Sequence, residues 1–229
     1  NNRKVLNGIL EQAGIIDKEE KEQAIIAIDK LDKIGKEGVA KELQERKFSK
    51  KQIDGIFVLV KEKISLAELK KKLTNAEGTQ GIKELEELFS YLQAMNILTA
   101  QFDVSLARGL AYYTGSVFEA RLKKGQISSS VAGGGRWDTM IGSFMGGGRE
   151  VPAVGVAFGL EPIMDTLRLE KKIKNKSVAQ VYVIPINTIA ESLQTVQELR
   201  ENGIAASFSL GKKGVSKNLE YASSLGIPY

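Results

Sequence analysis

The sequence predicts an α+β chain, and three stretches of different character predict it. Residues 17–98 are rich in Lys, Glu, Ile and Leu and contain no proline, the composition of a helical unit. Residues 100–169 read as strands between glycine-rich turns, and residues 178–225 repeat strand then helix, the pattern of a parallel α/β domain.

Taken in order, Val5, Leu6, Ile9 and Leu10 give the opening segment a helical stripe that stops at Gly14. Asp17 with Glu20, Ser49 with Gln52, and Ser65 with Glu68 have capping-box spacing or close to it and divide the helical stretch. Ile25, Ile28, Leu31 and Asp32 mark one helix, and Val39, Leu43 and Arg46 a second. Ile53, Ile56, Phe57 and Val60 mark a third, and Leu66, Leu69 and Leu73 a short fourth. Residues 75–81 read as a break, followed by a long amphipathic helix through Ile82, Leu85, Leu88, Phe89, Leu92 and Met95. Lysine runs such as residues 70–72 are expected to be solvated faces in preference to nucleic-acid contacts.

Phe102, Val104 and Leu106 alternate with polar or small residues and predict a half-buried strand, as does the segment around Val117. Further strands are expected over 128–132 and, buried, over 151–158, with a helix or turn at 137–144 and a helix at 160–167. Residues 170–177 read as a basic linker. Beyond it come a strand over 178–186, a helix over 188–202 closing at Gly203, a strand over 204–208 and a helix over 215–225; another strand is expected to begin at residues 226–229.

Composition bounds the chemistry. The chain has 229 residues, 42% of them hydrophobic, and a net charge of +5, which favours a polyanionic partner without requiring one. No apolar run approaches a membrane span, the opening lacks a signal peptide's hydrophobic segment, and a cytoplasmic location is expected. With no cysteine and no histidine, a disulfide framework, a thiol nucleophile, an imidazole base and a zinc site of the usual ligands are excluded. Arginine, carboxylates, tyrosine and backbone donors remain, an inventory that suits phosphoryl or adenylyl transfer.

Those groups concentrate in residues 102–119, FDVSLARGLAYYTGSVFE, where Arg108, Tyr112 and Tyr113 stand between two strand-like flanks. Arg108 offers a planar fork to phosphate or carboxylate, and Gly109 and Gly115 permit close backbone approach. A hairpin with an exposed arginine and two tyrosines packed on the sheet accounts for the same pattern. Three glycines in a row, as at 133–135, are more often a turn than a phosphate cradle, and no Walker or dinucleotide fingerprint is present.

The segment ARGLAYYTGSVFEA, from Ala107, resembles the histidine-specific signature of histidyl-tRNA synthetases. Three more pieces follow the family's order: residues 1–8 (NNRKVLNG), 130–138 (SVAGGGRWD) and 151–161 (VPAVGVAFGLE). The resemblance points to an archaeal or eukaryotic-like branch of that family. It implies part of a class II antiparallel-sheet catalytic domain with a helical insertion, followed by the start of an α/β anticodon-binding domain. Its domains would be a catalytic segment at 1–14, the insertion and a connecting helix at 15–98, the signature and third motif at 99–170, and a partial anticodon-binding domain at 177–229. The chain would then lack the N-terminal half of the catalytic domain and its own C-terminal end, and would be inactive alone.

By the same resemblance, the reaction is ATP-dependent attachment of histidine to its tRNA through histidyl-adenylate. ATP is a substrate, accompanied by Mg2+; L-histidine and tRNA(His) are the other substrates, and the full protein is a homodimer with no membrane attachment. Arg108 would be catalytic and contact both histidine and ATP. Tyr112, Tyr113, Gly133, Trp137 and Gly155 would line the histidine site, Glu161 would lie at the ATP site, and no residue would hold a resident metal. Three departures stand out: Trp137 where tyrosine is commoner, Ala111 where aspartate is common, and Pro162 where the third motif has an ATP-binding arginine. The last leaves room for a catalytically silent relative that regulates or senses tRNA, and the basic helices for a plain RNA-binding module.

Overall fold

The computed structural model describes residues 1–60, 64–124, 126–127, 129–170, 176–210 and 214–229. Contacts divide it into two compact units, residues 1–124 with 128–160, and residues 125–127 with 161–229.

In the first unit, α1 (Arg3–Gln12) runs through the middle of the helical part, with Val5, Leu6, Ile9 and Leu10 fully buried. Burial on this scale stabilises by ~1.5–3 kcal/mol per side chain. α2 (Lys18–Ile28) begins where the Asp17 carboxylate accepts from the Glu20 N–H. α3 (Leu31–Glu45) is kinked at Gly35, whose φ is 67°. α4 (Lys50–Leu59) and α5 (Leu66–Lys72) start at reciprocal capping boxes, Ser49 with Gln52 and Ser65 with Glu68. Leu31 and Asp32, expected in the helix of Ile25, instead open α3 after a turn at Asp29 and Lys30.

The break expected at 75–81 is instead the start of α6 (Ala76–Ala94). Asn75 caps it, accepting from Gly78 N at 2.8 Å while its amide donates to the Gly8 carbonyl at 2.6 Å. The glycines there serve close packing: a Cβ on Gly8 would lie 2.5 Å from the Gly78 Cα, and one on Gly81 would lie 2.7 Å from the Val5 nitrogen. Backbone cannot swing aside as a side chain can. Gly8→Ala is therefore expected to lower stability by about 1 kcal/mol net, since overpacking of ~1–3 kcal/mol outweighs the ~1 kcal/mol that alanine gains in a helix. Gly55→Ala, whose new Cβ would meet Ala13 at 3.1 Å, should cost less. Urea unfolding ranks the two, and a Gly8→Ala chain more stable than the parent would show that α1 and α6 do not press there.

The unit's sheet is antiparallel, order β1-β2-β3, from β1 (Val117–Ala120), β2 (Ala132–Trp137) and β3 (Ala153–Phe158), with the short α7 (Met140–Met145) between the last two. An antiparallel bridge between Asn2 and Ser116 lies just before β1. The strand expected over 128–132 starts only at Ala132, and residue 128 lies outside the described residues. Gly133, Gly134 and Gly135 form the middle of β2, paired on both sides, and do not make a turn. The strand expected at 102–107 does not form. Asp103 accepts from Ser105 N at 2.8 Å in a local turn, and the Asn1 amide takes the carbonyls of Val104 and Leu106, both at 2.9 Å, that a ladder would have used. β3 is also less covered than expected: Val154, Val156 and Phe158 are exposed on one face of an edge strand.

In the second unit α8 (Leu160–Leu169) tolerates Pro162 in its first turn, where the missing N–H has no helical partner to lose. Of the linker expected over 170–177, residues 171–175 lie outside the described residues. β4 (Val181–Val183) and β5 (Ala206–Phe208) pair in parallel, joined by α9 (Ile189–Glu201), with Gly203 at φ 76° just past that helix. α10 (Val215–Leu225) ends at a left-handed Gly226. The strand expected to begin at 226–229 is not formed as such, although the Tyr182 N–H donates to the Tyr229 carbonyl at 2.7 Å and the Tyr229 N–H to the Gln180 carbonyl at 3.3 Å. No helix among the described residues is long and apolar enough to cross a membrane.

Candidate active site

The site assembles where the 108–115 loop meets β1 and β2. Arg108 is a non-glycine residue at φ 39°, a conformation that its surroundings must enforce. Its Nη1 donates to Glu119 Oε1 at 2.9 Å, with both side chains largely buried. Glu119 reaches it because it shares a face of β1 with Val117. Burial works to lower the Arg108 pKa, but hydrogen bonding to Glu119 and Tyr113 outweighs it and the guanidinium is held above its ordinary value. Glu119 Oε2 accepts from Arg121, which in turn reaches Asp32 Oδ2 at 2.5 Å. A chain of alternating charge thus runs from the start of α3 to Arg108.

The glycines of β2 leave the space that these groups fill. A Cβ on Gly133 would fall on the Arg108 guanidinium, and one on Gly135 would lie 2.8 Å from the Tyr113 ring. Tyr112 and Tyr113 stand with ring centroids 4.6 Å apart, and Trp137 closes the cluster edge-on to Tyr112 at 5.8 Å and tilted to Tyr113 at 6.3 Å. Gly155 lies under the Trp137 ring, where a Cβ would collide with it. Hydrogen bonding to Tyr113 raises the Tyr112 pKa, aided by burial, so the Tyr112 phenol stays protonated near neutral pH. The buried Trp137 Nε1 has no hydrogen-bond partner, a donor free for a ligand acceptor. Asp138 fixes the loop's far end, accepting from Thr114 Oγ1 at 2.9 Å and from Arg136 Nε at 2.8 Å.

Six of the expected site residues therefore converge: Arg108, Tyr112, Tyr113, Gly133, Trp137 and Gly155. Glu161 is exposed in the first turn of α8, part of the second unit. Sequence reasoning missed Glu119 and Asp138 as site residues. The period-two alternation Val117, Glu119 was the available signal for the first, and the side-chain span from Thr114 to Asp138 left none for the second. Among the described residues no cluster of three or more carboxylates offers a metal site. The arrangement is one fixed cation with a carboxylate partner, set beside an aromatic wall with polar tips, suited to a planar ligand carrying an anionic group.

A family model described as histidyl-tRNA synthetase matches residues 1–163. Among curated relatives, histidine–tRNA ligase 1 of Bacillus cereus is 40% identical over the whole chain, which covers 53% of that protein. Histidine–tRNA ligase of Clostridium tetani is 35% identical over the whole chain and 54% of its own length. Among solved structures, histidyl-tRNA synthetase from Nostoc sp. superposes with a TM-score of 0.65 at 29% identity, over 99% of this chain and 55% of that one. An ATP phosphoribosyltransferase regulatory subunit/histidyl-tRNA synthetase from Bacillus halodurans shares the fold, with a TM-score of 0.57 at 17% identity, over 98% of this chain and 56% of that one. The chain spans about half the length of the curated relatives it matches. These relatives are bacterial, so the expected archaeal or eukaryotic-like affinity gains no support from them.

Proposed function

We propose that this chain, which belongs to the histidyl-tRNA synthetase family, supplies the histidine-facing part of an enzyme that joins histidine to tRNA(His) at the expense of ATP. The observation that carries the reading is the convergence of Arg108 with Tyr112, Tyr113 and Trp137 in a space cleared by Gly133, Gly135 and Gly155. In the first step a histidine carboxylate oxygen attacks the α-phosphorus of ATP, and pyrophosphate leaves. In the second, the terminal ribose hydroxyl of tRNA attacks the carbonyl and AMP leaves.

Negative charge on the α-phosphate grows during the first step, and in this reading Arg108 stabilises it. Glu119 holds that guanidinium in advance, so its orientation is set before substrate arrives. In this reading Tyr113 offers a hydroxyl to the imidazole, Tyr112 and Trp137 wall the ring, and Gly133 and Gly155 provide clearance. Glu161 would serve the ATP side, with Pro162 leaving the triphosphate to a cation other than the usual third-motif arginine. Mg2+ would accompany the ATP as part of that substrate. The boundaries at 14/15, 98/99 and 170/177, the homodimer and a cytoplasmic setting belong to the same proposal.

A silent regulatory relative would need neither the arginine nor the tyrosine pair, and their joint placement favours the enzyme. The test is charging of a tRNA(His) transcript with labelled histidine by the full-length protein. Product is expected; its absence, with histidine binding also absent, would favour the silent relative.

A further inference from the structure

Arg3 is a charged side chain that the proposed chemistry leaves unused, yet it is only 5% exposed. It touches the 108–115 loop twice. Its backbone N–H donates to the Gly115 carbonyl at 2.8 Å, and its Nη1 donates to the Arg108 carbonyl at 3.4 Å. One residue therefore holds both ends of the loop that carries Tyr112 and Tyr113, and the carbonyl it grips belongs to the residue at φ 39°. Burial disfavours its charge, opposed by Glu22 of α2 and Glu77 of α6, so the cation is embedded in the helical part and not in solvent.

We propose that Arg3 is a positioning residue that staples the loop, keeps Arg108 in its left-handed conformation and so aims the guanidinium. The assignment rests on the role given to Arg108 above. A left-handed non-glycine residue is costly unless its neighbours over-determine it, and a buried guanidinium that loses an acceptor is left with an unsatisfied donor. Lysine at this position would keep the charge and the backbone contact to Gly115. It would lack the planar fork and the length to reach the Arg108 carbonyl.

The experiment compares Arg3→Lys, Arg3→Gln and Arg108→Ala in the full-length protein, by pyrophosphate exchange kinetics and by amide hydrogen exchange of residues 108–115, α1 and α6. Arg3→Lys should lower kcat at least tenfold while the KM values for histidine and ATP change less than threefold. Its loop amides should exchange at least tenfold faster, with α1 and α6 unchanged. Arg3→Gln should show the same pattern if it folds, and Arg3→Lys decides the matter if it does not. Unchanged loop exchange, or faster exchange spread equally over α1 and α6, would overturn the staple. If Arg108→Ala proves fully active, the role of Arg108 fails, while the exchange data still report on the staple by themselves.

Discussion

Replacing Arg108 by alanine in the full-length protein is expected to reduce histidine-dependent pyrophosphate exchange by about a hundredfold to a thousandfold, the ~3–4 kcal/mol that one preorganised donor supplies to a developing oxyanion. Three observations set the size of this effect. The guanidinium is mostly withdrawn from solvent, so its field is poorly screened. It is already paired with Glu119, so little reorganisation is needed when phosphate arrives. Gly133 leaves no side chain that could fill the vacated space. The fold should survive, because the alanine keeps its backbone contact to Arg3. Near parental exchange by a folded variant would remove Arg108 from the mechanism.

Tyr113→Phe is expected to weaken histidine binding by ~1–3 kcal/mol, roughly fivefold to 150-fold in KM, because the lost hydroxyl leaves a buried polar atom of the ligand without a partner. The ring itself should stay in place. It is 4% exposed and wedged against Gly135 and Tyr112, so phenylalanine fills the same volume. The KM for ATP should move much less. Some loss in kcat is also expected, since the same hydroxyl helps to hold Arg108. Steady-state exchange with each substrate varied separately checks this, and equal losses for histidine and ATP would make the tyrosine a support of the fold.

What was legible in the sequence was mostly what is local. Ser49 with Gln52 and Ser65 with Glu68 announce helix starts because the hydrogen bonds that make the cap lie within four residues. The parallel pairing of β4 and β5 followed from strand-helix alternation, which spacing alone displays. Glycine was the ambiguous letter. At Gly78 and Gly81 it marks a helix seam, and at 133–135 the centre of a strand, because what it makes room for lies far away in sequence. Alternation misled at Phe102–Leu106, where a distant amide, Asn1, takes the carbonyls that a strand would have used. The apolar run of β3 reads as a buried strand, whereas Val154, Val156 and Phe158 remain open.

The candidate site divides along the same line. Arg108, Tyr112, Tyr113 and Trp137 lie in compact motifs that the sequence displays. Glu119 and Asp138 act through side-chain reach, and Arg121 and Asp32 through a link of 89 positions that no local pattern encodes. Arg3 belongs with these last, since its partner Arg108 lies 105 positions along the chain.

The measurement that bears most directly on the account is pyrophosphate exchange by the full-length protein with each standard amino acid offered in turn. Exchange should require histidine and fall to background with every other amino acid, because the cluster of Tyr112, Tyr113 and Trp137 beside Arg108 is shaped for a small aromatic ring with polar atoms next to an activated carboxylate. Exchange that proceeds without histidine, or faster with another amino acid, would contradict the assignment of this site.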